Sequence, residues 1–230
     1  MGRSAKTDRS SSASKQTRDP EATKAQILDA AEEEFARYGL NGARTEAIAA
    51  KTGVTKAMIY YYFSSKEGLY QAVLKRYPTN FLAIVKRLNP TDISPEDALK
   101  AMVRAGIAHE ATHPHQGKIL LHEAMQNGGQ YFKLTGGWEE AISLGMEVLK
   151  RGIAEGCFRP VDPFLTMIHI MGTITFYFNA ENNLKNIASD LEWMSPKAIE
   201  QFTESAIAFI LAGVRAEPNS NLEESERCHD

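Results

Sequence analysis

TEAIAAKTGVTKAMIYYYFSSK, residues Thr45 to Lys66, is the stretch that decides the fold. Thr45 suits the N-cap of a short helix that carries Ile48 and Ala49 inward. Gly53 supplies the backbone freedom of a tight turn, and Val54 plugs the space between two helices. Thr55 caps a second short helix through Tyr62, and Ser65 caps the next one. Two short helices around a glycine turn make a helix-turn-helix. In such a unit the second helix lies in the major groove of DNA, with its N-terminal residues at base edges.

The chemistry of the stretch agrees with that geometry. Lys56 and Lys66 each fall at the first position of a helix. A cation there opposes the helix dipole by a few tenths to about 1 kcal/mol. An arriving phosphate, or the acceptors of guanine, would reverse the sign. Tyr60, Tyr61 and Tyr62 are consecutive, so on a helix they point about 100° apart and cannot all be buried. An exposed tyrosine suits a phosphate or a thymine methyl group. Ile59 and Phe63 are expected inward. Glu46 either accepts from a cytosine amino group or faces solvent.

Working outward, the helical period continues on both sides. Ile27, Leu28, Ala31, Phe35 and Tyr38 recur at three- and four-residue steps, and Gly39 stops that helix. After Ser65, the residues Leu69, Val73, Tyr77, Phe81, Val85 and Leu88 line one face of a long fourth helix, broken at Asn89-Pro90. Ser94-Pro95-Glu96-Asp97 is an N-cap, a first-turn proline and two acids, which opens a helix to about Thr112. Further helices are expected over 115–126 and 137–155, and two more open at Asp162-Pro163 and Ser195-Pro196. No β-alternating run of note, internal repeat or Gly-rich phosphate loop interrupts this series. The chain reads as all-α with about nine helices.

Composition bounds the function. Of 230 residues 43% are hydrophobic, enough for a full core. The net charge of −3 is split unevenly. Residues 1–80 carry 13 Lys and Arg against 9 Asp and Glu, a net +4, and residues 81–230 carry 13 against 20, a net −7. A basic head on an acidic body fits phosphate contacts at one end. The most apolar segment, Met167–Phe178, is broken by His169, Gly172 and threonines, so no membrane helix is expected. The N-terminus lacks an apolar signal region, which points to the cytoplasm and, for a DNA binder, the nucleoid. Cys157 and Cys228 make neither a disulfide framework nor a metal spacing. His109, His113, His115, His122 and His169 give no coherent ligand set, so no metal and no cofactor is expected. Cys157 with His169 is the one candidate for a nucleophile, and nothing orients the pair, so the chain is not expected to be an enzyme.

The quoted stretch and its flanks resemble the DNA-binding region of TetR-family transcriptional regulators, which are bacterial. The resemblance rests on Phe35 with Gly39, Thr45 with Ile48-Ala49, Gly53-Val54-Thr55, Tyr60 with Tyr62-Phe63, and Lys66-Glu67 with Leu69, within residues 22–74. Ala57 departs from the family pattern, where glycine is common. The resemblance implies a three-helix head joined by a fourth helix to a ligand-binding and dimerisation body. The implied divisions are a disordered basic arm (1–20, with Arg3, Lys6, Arg9, Lys15 and Arg18), the head (21–66), the body (67–215) and a flexible tail (216–230). It implies that Arg44 and Thr45 meet phosphate. Lys56, Ala57, Tyr60 and Tyr61 would face the groove or its rim, Thr55 would cap their helix, and Tyr62 and Lys66 would hold the DNA backbone.

The same resemblance implies a homodimer through the last two helices, a palindromic operator in double-stranded DNA, and a small-molecule effector held in the body. The helix from Pro163 to Asn179 is apolar nearly all round, as burial on several sides requires. Pocket candidates are His122, Trp138, Thr175 and Asn179, with Met125, Phe132, Met171 and Phe178 as walls. The segment from His113 to Val161, with FRPVDP at 158–163, is also similar to regulators of pyrimidine utilisation. The expected function is a repressor released by its ligand. The alternative is a ligand-independent DNA binder of the same fold that organises the chromosome or recruits a protein.

Overall fold

The computed structural model describes residues 19–134, 137–190 and 192–217. Nearly all of the basic arm, Cys228 and the tail beyond 217 lie outside the described residues. Eleven α-helices stand among those described: α1 (Pro20–Gly42), α2 (Thr45–Thr52), α3 (Lys56–Phe63), α4 (Lys66–Leu74), α5 (Arg76–Arg87), α6 (Pro95–Thr112), α7 (Gln116–Gln126), α8 (Trp138–Ala154), α9 (Pro163–Asn179), α10 (Glu181–Leu184) and α11 (Pro196–Val214).

Six of the eleven described helices start at a side chain that satisfies a first-turn N–H group. Asp19 accepts from Glu21 N, Thr55 from Met58 N, Ser65 from Gly68 N and Ser94 from Asp97 N. Asp162 and Ser195 cap α9 and α11 in the same way, each followed by a proline in the first turn. The first helix therefore begins at Pro20, inside the span expected to be a disordered arm. Gly39 departs from helical geometry at φ 66°, ψ −178°, a region open only to glycine, and there the chain turns toward α2.

Three details differ from the sequence expectation. The long fourth helix is two helices with a corner at Lys75. The proline at 78 has no N–H for the carbonyl of Leu74, so one continuous helix would lose that bond; restarting at Arg76 moves the proline into a first turn, where no N–H is needed. Tyr77, expected on the face of that helix, is not among the described side chains. With the short α10, this division gives eleven helices where about nine were expected. The N-cap of α2 is Arg44, not Thr45. Thr45 is 4% exposed and α2 has no side-chain cap; Glu34 Oε1 accepts from Arg44 N, ahead of the first turn, at 3.0 Å.

Two apolar cores result. The head core gathers Ile27, Phe35, Ile48, Ile59, Leu69 and Tyr70 from α1 to α4. The body core gathers Leu99, Ile107, Leu149, Phe158, Ile174 and Tyr177 from α6, α8, α9 and their link, with Ile207 and Ile210 of α11. Ile119 of α7 belongs to the head core although α7 lies in the body sequence, so α7 is shared. The loop before α9 is stitched to the end of α11: Arg159 N donates to Val214 O (2.8 Å) and Ala216 N to Cys157 O (3.1 Å).

Candidate nucleic-acid interface and body cavity

On α3 the period sorts the aromatics. Ile59 and Phe63 are buried, as expected, and Tyr62 is half-buried. Tyr61 is 82% exposed and Tyr60 36%. Arg44, Thr55, Lys56 and Ala57 are also exposed. Thr45 Oγ1 lies 3.4 Å from Tyr60 Oη, which ties the start of α2 to the middle of α3. One outward surface thus carries Arg44, Lys56, Ala57, Tyr60 and Tyr61.

The two lysines are not isolated cations. Lys56 Nζ is 2.5 Å from Glu46 Oε1 and 5.7 Å from the centre of the Tyr60 ring. The hydrogen bond to Glu46 holds the Lys56 pKa above the ordinary lysine value and lowers that of Glu46. Lys66 Nζ donates to the carbonyls of Ala43 (3.2 Å) and Asn41 (3.4 Å), the chain between α1 and α2. Both lysines already have partners within the head. One is held by a carboxylate and the other clamps a turn of the head.

The body contains a cavity of about 230 Å³ between α6, α7 and α9. Phe81, Gly106, Glu110, Gly117, Leu120, Leu121, Phe132, Trp138, Met171, Ile174 and Thr175 line it. An adjoining hollow of about 60 Å³, lined by apolar side chains, shares Phe81, Trp138, Met171 and Ile174 with it. Of the eight pocket candidates, Phe132, Trp138, Met171 and Thr175 stand in the wall of the cavity. The other four do not. Met125 is 82% exposed, because it sits on the solvent side of α7. His122 faces the head, with Nε2 3.2 Å from Ala36 O. Phe178 is buried in the body core, and Asn179 turns back to donate to Thr175 O at 2.9 Å.

Glu110 was missed by the sequence reading. It is 4% exposed and extends the buried stripe of Leu99, Met102, Val103, Gly106 and Ile107 along α6. A charge on an apolar stripe was the available signal. The Cys157 thiol donates to Gly152 O at 3.4 Å. Among the described residues no group of three metal-ligating side chains occurs, and no helix is long and apolar enough to cross a membrane.

Head and body meet through a buried polar knot. Glu123 of α7 is 1% exposed and accepts from Tyr70 Oη of α4 (3.1 Å), Asn127 Nδ2 (2.7 Å) and Tyr131 N (2.6 Å). Burial and the Glu123 carboxylate together raise the Tyr70 pKa well above the ordinary tyrosine value, so the phenol stays a donor. Arg76 at the start of α5 bridges back to Glu32 (3.0 Å) and Asp29 (2.7 Å) of α1.

The body also leaves an apolar face bare. Phe164, Leu165, Ile168 and Phe176 of α9 and Phe209 of α11 are 44–71% exposed. Leu165, Ile168 and Phe209 border an open groove of about 900 Å³ between these two helices, floored by Ile170, Ile210 and Val214.

A three-helix head presenting one exposed helix, carried on an all-helical body with a cavity, defines a helix-turn-helix DNA-binding regulator. Residues 27–73 match the family described as "Bacterial regulatory proteins, tetR family", and residues 95–210 match "Tetracyclin repressor-like, C-terminal domain". The chain belongs to the TetR family of bacterial transcriptional regulators, whose members bind DNA as dimers and respond to small molecules. It is 39% identical over 111 residues to the HTH-type transcriptional repressor SCO4008 of Streptomyces coelicolor, spanning 48% of this chain and about half (54%) of that protein. It is 31% identical over 150 residues to the HTH-type transcriptional regulator RutR of Escherichia coli, spanning 65% and 70% of the two chains. The fold superimposes on the ketosteroid transcriptional regulator KstR2 of Mycobacterium tuberculosis with a TM-score of 0.69 and 22% identity, over 84% of this chain and 95% of that one.

Proposed function

We propose that this chain is a dimeric repressor that leaves a palindromic operator when a small molecule occupies the body cavity. One observation carries the reading: α7 touches both sites. Gly117, Leu120 and Leu121 are in the cavity wall, whereas Ile119, His122 and Glu123 of the same helix contact the head. A ligand that binds more tightly to one arrangement of α7 shifts the population of head positions. In a dimer, that shift changes the spacing of two recognition helices relative to half-sites one helical turn apart.

The bare face of α9 and α11 is the dimer interface in this reading, since a second copy buries Leu165, Ile168 and Phe209. On DNA, Arg44 and the start of α2 meet a phosphate. Lys56, Ala57, Tyr60 and Tyr61 face the groove and its rim, and Tyr62 and Lys66 support the backbone contacts from beneath. The repressor acts in the cytoplasm, at the nucleoid. The cavity argues against a ligand-independent chromosome organiser, whose body would be packed solid. With its adjoining hollow the cavity approaches the lower end, about 300 Å³, of common small-molecule sites.

The test is fluorescence anisotropy with the full chain and duplexes recovered from a random pool. The account expects a palindromic winner, two chains per duplex, and release by at least one compound of a metabolite panel that also raises the melting temperature. Recovery of no sequence preference contradicts it.

A further inference from the structure

We infer that Glu46 and Lys56 act on DNA as one unit that reads a guanine–cytosine pair in the major groove, Lys56 donating to the guanine and Glu46 accepting from the cytosine. The inference rests on the DNA-binding reading above and adds a base pair to it.

Glu46 is the second residue of α2 and Lys56 the first of α3. The chain turns between them at Gly53, in the left-handed region at φ 65°, and the 2.5 Å ion pair joins the two helix starts. Both side chains stay about half exposed, 55% for Glu46 and 47% for Lys56. The pair is held from a second side. Lys56 Nζ stands over the Tyr60 ring, and Tyr60 Oη is in turn 3.4 Å from Thr45 Oγ1. Glu46 keeps its charge at pH 7, because the hydrogen bond from Lys56 lowers its pKa below the ordinary carboxylate value.

Charge makes this pair a reader rather than an anchor. Bound to Glu46, Lys56 brings no net charge to the DNA, so it adds nothing to the attraction that every duplex exerts through its phosphates. A carboxylate carried to a phosphate-lined groove weakens binding unless it meets a donor. On the major-groove edge the donors are the amino groups of cytosine and adenine.

A guanine–cytosine pair satisfies both members. A lysine has three N–H donors, and those not given to Glu46 can reach guanine O6 and N7. The carboxylate has acceptor sites left for the cytosine amino group. Inside the base pair that amino group donates to O6, so the two stand one hydrogen bond, about 2.9 Å, apart. Lys56 Nζ and Glu46 Oε1 present the complementary order at a similar separation, 2.5 Å. An adenine–thymine pair instead sets its amino group between two acceptors and adds a methyl group beside one of them. There the lysine reaches one acceptor rather than two neighbouring ones, and the methyl lies against charged atoms.

The test is fluorescence anisotropy with the full chain and the duplex selected from the random pool. Each guanine–cytosine pair of the half-site is replaced in turn, symmetrically, by inosine–cytosine and by adenine–thymine. Inosine–cytosine keeps the major-groove edge of guanine–cytosine but lacks its minor-groove amino group, so it separates major-groove reading from reading of groove shape. At one position the unaltered chain should bind inosine–cytosine as it binds guanine–cytosine, and adenine–thymine at least about tenfold more weakly. In Glu46→Ala that penalty should fall below about threefold while penalties at other positions persist, which reports a folded head. The freed Lys56 should also tighten binding to a scrambled duplex and steepen its salt dependence by about 1 in slope. A Glu46→Ala chain that keeps every penalty, or that weakens on all duplexes alike, overturns the inference and leaves the repressor reading in place. So does inosine–cytosine as weak as adenine–thymine at the position Glu46 governs. Absence of any sequence preference in the unaltered chain overturns both.

Discussion

Tyr61 holds 82% of its surface in solvent on a helix whose neighbours Ile59 and Phe63 are buried. A large ring with so little packing contributes little to stability, so Tyr61→Ala should change unfolding free energy by less than about 0.5 kcal/mol. In the DNA reading it should weaken operator binding at least about tenfold, as loss of one base or phosphate contact does; thermal melts and anisotropy on the same preparation separate the two effects. Lys56 and Lys66 should differ in kind. Lys56→Ala should change sequence preference, whereas Lys66→Ala should loosen the turn between α1 and α2 and weaken all duplexes alike. His109 gives a pH signature. Burial, and then the neighbouring His113 ring, lower its pKa from 6.5 to about 4, with Gln116 partly opposing. Between pH 6.5 and 4 the unfolded chain takes up a proton that the folded chain refuses, so stability should fall as the pH drops through that window. The loss from this residue is at most about 3 kcal/mol, and His109→Asn should flatten that part of a urea-unfolding profile. That some of the three consecutive tyrosines are exposed was legible in the sequence, because they cannot share one helix face; that Tyr61 is the most exposed depends on how α3 is rotated. The Glu46–Lys56 pair was not, because it joins α2 to α3 and depends on how those helices cross.

At the scale of elements, the side-chain-capped helix starts were the most legible features, since each such cap is a short-range hydrogen bond written in four residues. Ser94-Pro95 and Ser195-Pro196 open helices where the sequence reading put them. The division of α4 from α5 was less legible, because an apolar stripe runs on through a proline that removes a backbone bond. The body cavity was half legible: Trp138 and Thr175 stood out as polar groups on apolar helices, whereas the placement of His122 and Met125 depends on how α7 is rotated. That rotation gives α7 its two-sided contact. Tyr70→Phe removes one donor from Glu123 while Asn127 and Tyr131 keep theirs. It should cost about 1–2 kcal/mol of stability and, if the knot couples the sites, should raise the ligand concentration needed for DNA release without changing ligand affinity in the absence of DNA. Calorimetry beside anisotropy reads that difference, and equal shifts in both would assign the knot to stability alone.

At the scale of the whole molecule, charge and symmetry belong together. The net +4 of residues 1–80 and −7 of the remainder keep phosphate attraction at the head end. The bare apolar face of α9 and α11 lies in the body. Phe209→Glu introduces a charge where a partner would bury a ring that is 71% exposed in the single chain. The folded chain should persist as a monomer by light scattering, and its operator affinity should fall by two orders of magnitude or more, since half-site contacts no longer act together. The sequence indicated this surface through the excess of apolar residues on α9 and the apolar stripe of Phe202, Phe209 and Ile210 on α11, but periodicity reports that a helix face is covered without naming what covers it.

The central claim is that the exposed face of α3, held in pairs by a dimer, reads a palindrome through phosphate-anchored contacts. It is tested most directly by anisotropy of the selected duplex against a scrambled one across a salt series. The account predicts two chains per duplex and at least about a thousandfold preference for the selected sequence. It also predicts a logarithmic affinity that falls linearly with the logarithm of salt, with a slope shallower by about 1 in Arg44→Ala. Equal binding of both duplexes, or affinity insensitive to salt, would contradict it.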